Sequence, residues 1–286
     1  MTRFEGGLIV PRDPSKADRL KELLPIEIGI LGGSGNYDPA FVENTVEVKV
    51  YTPYGNPSDF YVLGTMRGRK VAFLARHGRG HKIPPHKINY RANIWGFKTL
   101  GVKRIIASSA CGILQPEKIK VGEFVIADQL FDRTFGQRAD TFFDGGVVAH
   151  VAFKQPFCPE LRKVIIDTAK EINYKVHEKG TYVAINGPRF STTAESLFYH
   201  KMGFDIIGMT AYPEAILARE AELCYALIAL PTDTDIHEEE EVSVEVVIQN
   251  MQKNVERVRK LLYEVIPKIP KERNCKCGQA LEAAYF

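Results

Sequence analysis

Residues 26–33 read IEIGILGG. A short run dominated by isoleucine and leucine that stops in a glycine pair predicts a buried strand with a turn at its carboxyl end. The pattern recurs at VEVKVYT (46–52), DFYVLGTM (59–66), KVAFLAR (70–76), RIIASSACG (104–112), FVIADQLF (124–131), TYVAINGP (181–188), DIIGMT (205–210) and CYALIALPTDTD (224–235). Segments with helical spacing separate many of these runs. They are Lys16–Leu24 (ended by Pro25), Tyr90–Leu100, Pro159–Ile172, Ser191–Gly203, Glu214–Glu222 and the long amphipathic Val242–Ile266. Ser191, Thr192 and Thr193, followed by Glu195, fit a capped helix start. Apolar strands alternating with helices predict an α/β fold with a mixed or mostly parallel sheet. No repeat, low-complexity tract or break in composition divides the chain. Residues 1–25 read as an N-terminal extension, 26–268 as one domain, and 269–286 as a polar tail carrying a C-x-C, draped on the surface or on a neighbouring subunit.

The chain has 286 residues, 45% hydrophobic and 26% charged, the balance of an ordinary globular protein with a sizeable core. A net charge of +3 is too small to imply a nucleic-acid or membrane partner. No apolar run reaches the length of a transmembrane helix. The start MTRFEGGLIVPRDPSK lacks the features of a signal peptide, so a cytoplasmic location is expected. Of five cysteines, Cys275 and Cys277 form the C-x-C. No second close pair or His-x-His accompanies it, so a structural zinc site is not expected. Free thiols are the plain reading of Cys111, Cys158 and Cys224. A disulfide between Cys158 and Cys224, or within the C-x-C, is the alternative in a hyperthermophile.

Four strand ends carry residues suited to a ligand, which in open α/β sheets sits beyond the strand carboxyl ends. In GILGGSGNYDP (29–39), Gly32, Gly33 and Gly35 allow a tight turn with exposed N–H groups, and Ser34 adds a hydroxyl. Such a loop can hold a phosphate, although neither the lysine-containing phosphate loop nor the dinucleotide spacing is present. A simple turn is the plainer reading. LARHGRGHKIPPHKINYRANIW (74–95) concentrates Arg76, His77, Arg79, His81, Lys82, His86, Lys87 and Arg91. Arg76 and His77 follow a strand directly, where a guanidinium fork suits an oxyanion and an imidazole can donate a second bond. A solvated basic loop competes with that reading. In SSACG (108–112), Ser109 and the Ala110 N–H could complete an anion site, or simply pack. In PTDTDIH (231–237), Asp233 and Asp235 fall on one side of a strand and could reach one ligand. A metal, a hydrogen-bonding ring, or a helix cap with a solvated aspartate all fit that pair.

Taken together, GILGGSGNYDP, TPYGNPSDF, ARHGRGHKIPPHKINYRANIW, SSACG, GPRFSTTAES, IIGMTAYPEA and CYALIALPTDTD resemble the trimeric-type purine nucleoside phosphorylases from Ile28 to about Ile266. The resemblance implies a single α/β phosphorylase domain with a mixed, partly barrel-like sheet. It implies phosphate-dependent cleavage of the N-glycosidic bond of 5′-methylthioadenosine, and of adenosine as a possible second substrate. The products would be adenine and 5-methylthioribose 1-phosphate. Ser34, Arg76, His77, Ser109, Ala110 and Thr210 match the residues that hold phosphate. Met209 matches the residue against the ribose, and Phe190 the one packed on the purine. His81 and Val247 would lie near the 5′ end, which His150 of a neighbouring subunit would close. Asp233, protonated, would donate to the purine N7, while Asp235 accepts from the exocyclic amine. The family implies no organic cofactor and no metal, and a homo-trimer or homo-hexamer. The C-x-C tail resembles that of members from hot environments.

Asn186 stands where the family usually has glutamate, Thr234 where an aromatic residue is common, and Ala211-Tyr212 where a smaller apolar pair occurs. Asn186 and Thr234 support a second reading, a phosphorylase of 6-oxopurine nucleosides or 5′-methylthioinosine. A non-catalytic nucleoside-binding protein is a third reading, and it would require a broken phosphate site.

Overall fold

The computed structural model describes residues 7–33, 41–236 and 244–285, with side chains between 244 and 251 given only for 249 and 250. Its strands are β1 (Leu8–Pro11), β2 (Ile28–Gly32), β3 (Glu43–Tyr51), β4 (Tyr61–Met66), β5 (Arg69–Ala75), β6 (Arg104–Ile113), β7 (Phe124–Ile126), β8 (Gln129–Arg133), β9 (Val176–His177), β10 (Thr181–Ile185), β11 (Ile206–Gly208) and β12 (Cys224–Thr234). Its helices are α1 (Ala17–Leu23), α2 (Tyr90–Thr99), α3 (Pro159–Glu171), α4 (Thr193–Lys201), α5 (Ala211–Glu220) and α6 (Val244–Val265).

One mixed sheet runs β1-β3-β4-β5-β2-β6-β11-β10-β8, with β12 on the other edge of β6 and β7 and β9 beyond it. The apolar runs are nearly continuous because both sheet faces are covered. Along β12, Tyr225, Leu227 and Ala229 enter one core layer, while Cys224, Ala226, Ile228 and Leu230 enter the other. The first layer includes Ile94 and Phe97 of α2 and Leu217 of α5. The second includes Leu161 and Ile165 of α3 and Leu261 and Leu262 of α6.

Strand β6 positions the site. On one edge it pairs in parallel with β2 over Arg104–Ala107, then antiparallel with β11 at Gly112 and Ile113. Ser108 to Cys111 lie in the gap between those two ladders. On the opposite edge β12 runs parallel to β6 throughout, with a bulge between Pro231 and Asp233.

Three expectations need correction. FVIADQLF is two strands, because the chain crosses from β12, the partner of β7, to β10, the partner of β8. Asp128 marks the crossing by accepting from the Gly180 N–H at 2.8 Å. The N-terminal segment packs onto the domain: Leu8–Pro11 of β1 pairs with β3 in the sheet, and Leu20 and Leu23 of α1 are buried. The polar tail also contributes to the cores, with Cys277, Leu281 and Ala284 buried. Among the described residues no helix is long and apolar enough to cross a membrane.

Candidate active site

A cavity of about 800 Å³ opens beside the gap in β6. Arg76, His77, Ser109, Ala110 and Thr210 line it, as do Asp233 and Asp235. Four segments distant in sequence thus meet at the strand ends.

Arg76 follows β5 and is fully buried. Its Nε and Nη2 grip the carboxylate of Glu214 on α5, the latter at 2.9 Å. Its Nη1 donates to the Ser108 carbonyl at 2.8 Å, in the gap where, among the described residues, no strand pairs with β6 on that edge. A guanidinium has five N–H groups. Among the described residues three are engaged, which leaves one on each terminal nitrogen for a ligand. Burial alone would lower the guanidinium pKa, but Glu214 more than offsets it, so Arg76 stays cationic. Gly33 makes room for this arrangement: a Cβ there would sit 2.8 Å from Arg76 Nη1 and 2.3 Å from the Ser108 carbonyl oxygen.

The hydroxyls of Ser109 and Thr210 approach to 3.4 Å. Tyr182 of β10 stands behind them, 3.3 Å from Ser109 Oγ and accepting from the Thr210 N–H at 3.4 Å. Gly208 admits that phenol, since a Cβ there would lie 2.0 Å from the Tyr182 hydroxyl.

His77 behaves differently from the sequence expectation. Its Nδ1 lies 2.8 Å from the Ile83 carbonyl, which can only accept, so Nδ1 carries the proton. Burial, aided by the charge of Arg76, pushes its pKa down to about 3. The neutral ring therefore presents Nε2 as an acceptor rather than a second donor. His81 stacks on it with centroids 4.2 Å apart.

The acids occupy another wall. Burial, with a smaller push from Asp235, raises the Asp233 carboxyl to about 6 despite a 2.6 Å hydrogen bond from the Thr232 hydroxyl. Asp235 is also raised, chiefly by burial, and accepts from Ser196 of α4 at 2.5 Å. Gly112 faces both: a Cβ there would be 3.3 Å from Asp233 Oδ2 and 3.2 Å from Asp235 Cβ.

A buried cation that anchors hydroxyls, facing a pair of raised carboxyls across one cavity, suits a ligand with an anion at one end and a hydrogen-bonding ring at the other. Comparison with known proteins identifies the family. Residues 27–267 match the model of the phosphorylase superfamily. The chain belongs to the phosphorylase superfamily. An S-methyl-5′-thioadenosine phosphorylase of Hyperthermus butylicus is 53% identical over 268 residues, covering 92% of this chain and 97% of that one. One of Saccharolobus solfataricus is 54% identical over 261 residues, covering 90% and 96%. A methylthioadenosine phosphorylase structure from an antarctic soil metagenomic library superposes with a TM-score of 0.85 at 45% identity, covering 91% of this chain and 92% of that one. One from Schistosoma mansoni in complex with adenine gives 0.84 at 40% identity, covering 90% and 96%.

Within this superfamily member, ten of the residues given a phosphate- or substrate-binding role from the sequence line the cavity: the seven above together with His81, Phe190 and Met209. Thr234 is not among the lining residues and pairs with Ile113 in the sheet. His150 is not among them either; its N–H donates to the Ala284 carbonyl at 2.8 Å on a loop tied to the tail. Ser34 and the Val247 side chain lie outside the described residues. Asn186 points to a network instead of the cavity, accepting from Arg138 and donating to Gln137. The Tyr212 hydroxyl donates to Asp140. The basic stretch divides: Arg76, His77, His81 and Lys82 line the cavity, whereas Arg79 pairs with Glu47 and Arg91 with Asp144, each at 2.6 Å.

Sequence reasoning missed Glu214, Tyr182, Ser196 and Arg138. Arg138 is buried and donates to the carbonyls of Ile185, Asn186, Met209 and Tyr212, which ties together two segments of the cavity wall. Only its charge on an otherwise unpatterned loop could have drawn notice.

The cysteines also gather in space. All five are free thiols, and Cys158, Cys224, Cys275 and Cys277 converge. The fold supplies the second pair from positions 66 residues apart, which no local spacing reveals. None of these four lines the cavity.

Proposed function

We propose that this chain cleaves 5′-methylthioadenosine with phosphate, yielding adenine and 5-methylthioribose 1-phosphate. The observation that carries this reading is the shared cavity of Arg76, Ser109 and Thr210 with Asp233 and Asp235. The relatives' names agree with it.

Phosphate occupies the gap in β6, held by the two remaining Arg76 N–H groups, the hydroxyls of Ser109, Thr210 and Ser34, and the Ala110 N–H. His77 Nε2 accepts the phosphate's own P–OH. The nucleoside lies above with its ribose on Met209, its base against Phe190, and its 5′ end toward His81 and Val247. The bond from C1′ to N9 stretches first, and its electron pair passes to the purine. Protonated Asp233 donates to N7 and Asp235 accepts from the 6-amino group. A phosphate oxygen then bonds to C1′. Asp233 recovers a proton from the hydrogenphosphate, so the exchange balances. Positioning and fixed charges supply most of the acceleration, with no covalent enzyme intermediate and no need for an organic cofactor or catalytic metal.

The acids also select the base. A 6-amino group donates to Asp235, whereas a 6-oxo group would face it with another acceptor. Asn186 and Thr234, on which the 6-oxopurine reading rests, do not line the cavity. The protein acts in the cytoplasm as a homo-trimer or homo-hexamer, in which His150 of a neighbouring subunit closes the 5′ end. A competition assay tests this selection: methylthioadenosine, adenosine and inosine at equal concentration with phosphate, products separated by chromatography. Adenine should appear first and from methylthioadenosine; hypoxanthine appearing first would reverse the assignment of the acids.

A further inference from the structure

Tyr182 of β10 is fully buried behind the cavity wall. Among the described residues its hydroxyl has two partners: it accepts from the Thr210 N–H at 3.4 Å and lies 3.3 Å from Ser109 Oγ. A hydroxyl carries one proton and two lone pairs. The Thr210 N–H can only donate, so the phenol spends a lone pair there and has its own proton left for Ser109. Burial raises the phenol's pKa, which keeps that proton in place.

We infer that Tyr182 is a positioning residue that turns the hydroxyl protons of Ser109 and Thr210 toward an anion bound beside Arg76. Ser109 Oγ takes the phenol's proton on one lone pair, so its own proton points elsewhere. Around it lie the Ala110 carbonyl at 3.0 Å and Thr210 Oγ1 at 3.4 Å. A phosphate oxygen outcompetes both, because hydrogen bonds to an ionised acceptor are roughly twice as strong as neutral ones. Thr210 is prepared in a similar way. It is the N-cap of α5, a position where a threonine hydroxyl ordinarily accepts from the first turn. Here the hydroxyl makes no such bond. Its one partner among the described residues is Ser109 Oγ, so its proton too can turn to the anion.

Ser109 and Thr210 come from β6 and from the start of α5, and they are 101 residues apart. Tyr182 is the one buried side chain among the described residues that bonds to both. A phenylalanine would fill the same space but leave the Thr210 N–H and Ser109 Oγ without that partner. Ser109 could then rotate to the Ala110 carbonyl and hold its proton away from the cavity. Strand pairing fixes the arrangement from behind: Tyr182 is in register with Ile206 and Ala184 with Gly208, the residue whose missing side chain admits the phenol. The inference rests on the phosphorolysis proposed above, since it takes phosphate as the anion.

The test is steady-state kinetics of the purified full chain on methylthioadenosine, with phosphate and nucleoside varied in turn. Tyr182→Phe should raise the phosphate KM about tenfold, the effect of losing a buried hydrogen bond, and move the nucleoside KM less than about twofold. Ser109→Ala should raise the phosphate KM by itself. Adding Tyr182→Phe to it should raise that KM only about twofold more, because the phenol acts largely through the deleted hydroxyl. Should Tyr182→Phe fail to fold, as judged by a thermal melt, Gly208→Ala crowds the phenol and should shift the phosphate KM in the same direction. An unchanged phosphate KM, equal rises in both KM values, or the full tenfold effect retained in the Ser109→Ala background would each overturn the inference and leave Tyr182 a packing residue. Wild-type adenine release that needs no phosphate would instead overturn the proposed phosphorolysis, and the inference with it.

Discussion

Arg76 and Glu214 face each other as a buried, two-pronged ion pair, with Nη2 donating to Oε2 at 2.9 Å. Glu214 accepts a further bond from the Tyr225 hydroxyl at 2.7 Å. The carboxylate therefore aims the guanidinium while cancelling much of its charge. Glu214→Gln should raise the phosphate KM by ~10-fold or more, the loss expected for a charge-assisted bond. It should also lower stability by about 3 kcal/mol, because one charge stays buried without its partner. Phosphate saturation curves and thermal melts check both effects. An unchanged phosphate KM would show that Glu214 only supports the fold.

Asp233 gives the activity a pH dependence. Its carboxyl titrates at about 6, so the protonated form falls as pH rises through that value. The kcat/KM for the nucleoside should fall about tenfold per pH unit well above pH 6. Asp233→Asn should flatten that limb, slow methylthioadenosine cleavage and shift preference toward inosine. A pH–rate profile on both proteins measures this.

His77 and Asp233 give stability opposing slopes on the acid side. His77 is depressed to about 3, so its contribution is full above the unfolded histidine value of about 6.5 and is lost as pH falls toward 3. Asp233 is raised to about 6, so its ionisation costs stability as pH rises from about 4 to 6. The two partly cancel in that window. Removing the second by Asp233→Asn should therefore make the melting temperature climb more steeply between pH 4 and 6 than in the wild type.

Arg138 should act on the nucleoside side. Arg138→Met keeps the apolar stem and deletes the bonds to both wall segments. The nucleoside KM should rise by about tenfold, with the phosphate KM changed much less. Equal changes in both would indicate a general loss of packing.

The sequence made the fold class legible because strands buried on both faces read as continuous apolar runs. Arg76, Ser109, Thr210, Asp233 and Asp235 were legible because each ends such a run or follows it. Their supports were not. Glu214 reads as an ordinary helix residue, and Tyr182 as an ordinary strand residue, until the fold sets them behind the site. β1 and β9 are too short to show a period. The cysteine cluster is invisible for a related reason: its members meet only after α3, β12 and the tail have packed.

The most direct test of the central claim is adenine release from methylthioadenosine by the purified protein, with and without phosphate. Release should require phosphate and yield 5-methylthioribose 1-phosphate in equal amount. Release at the same rate without phosphate, with free methylthioribose as the sugar product, would contradict it.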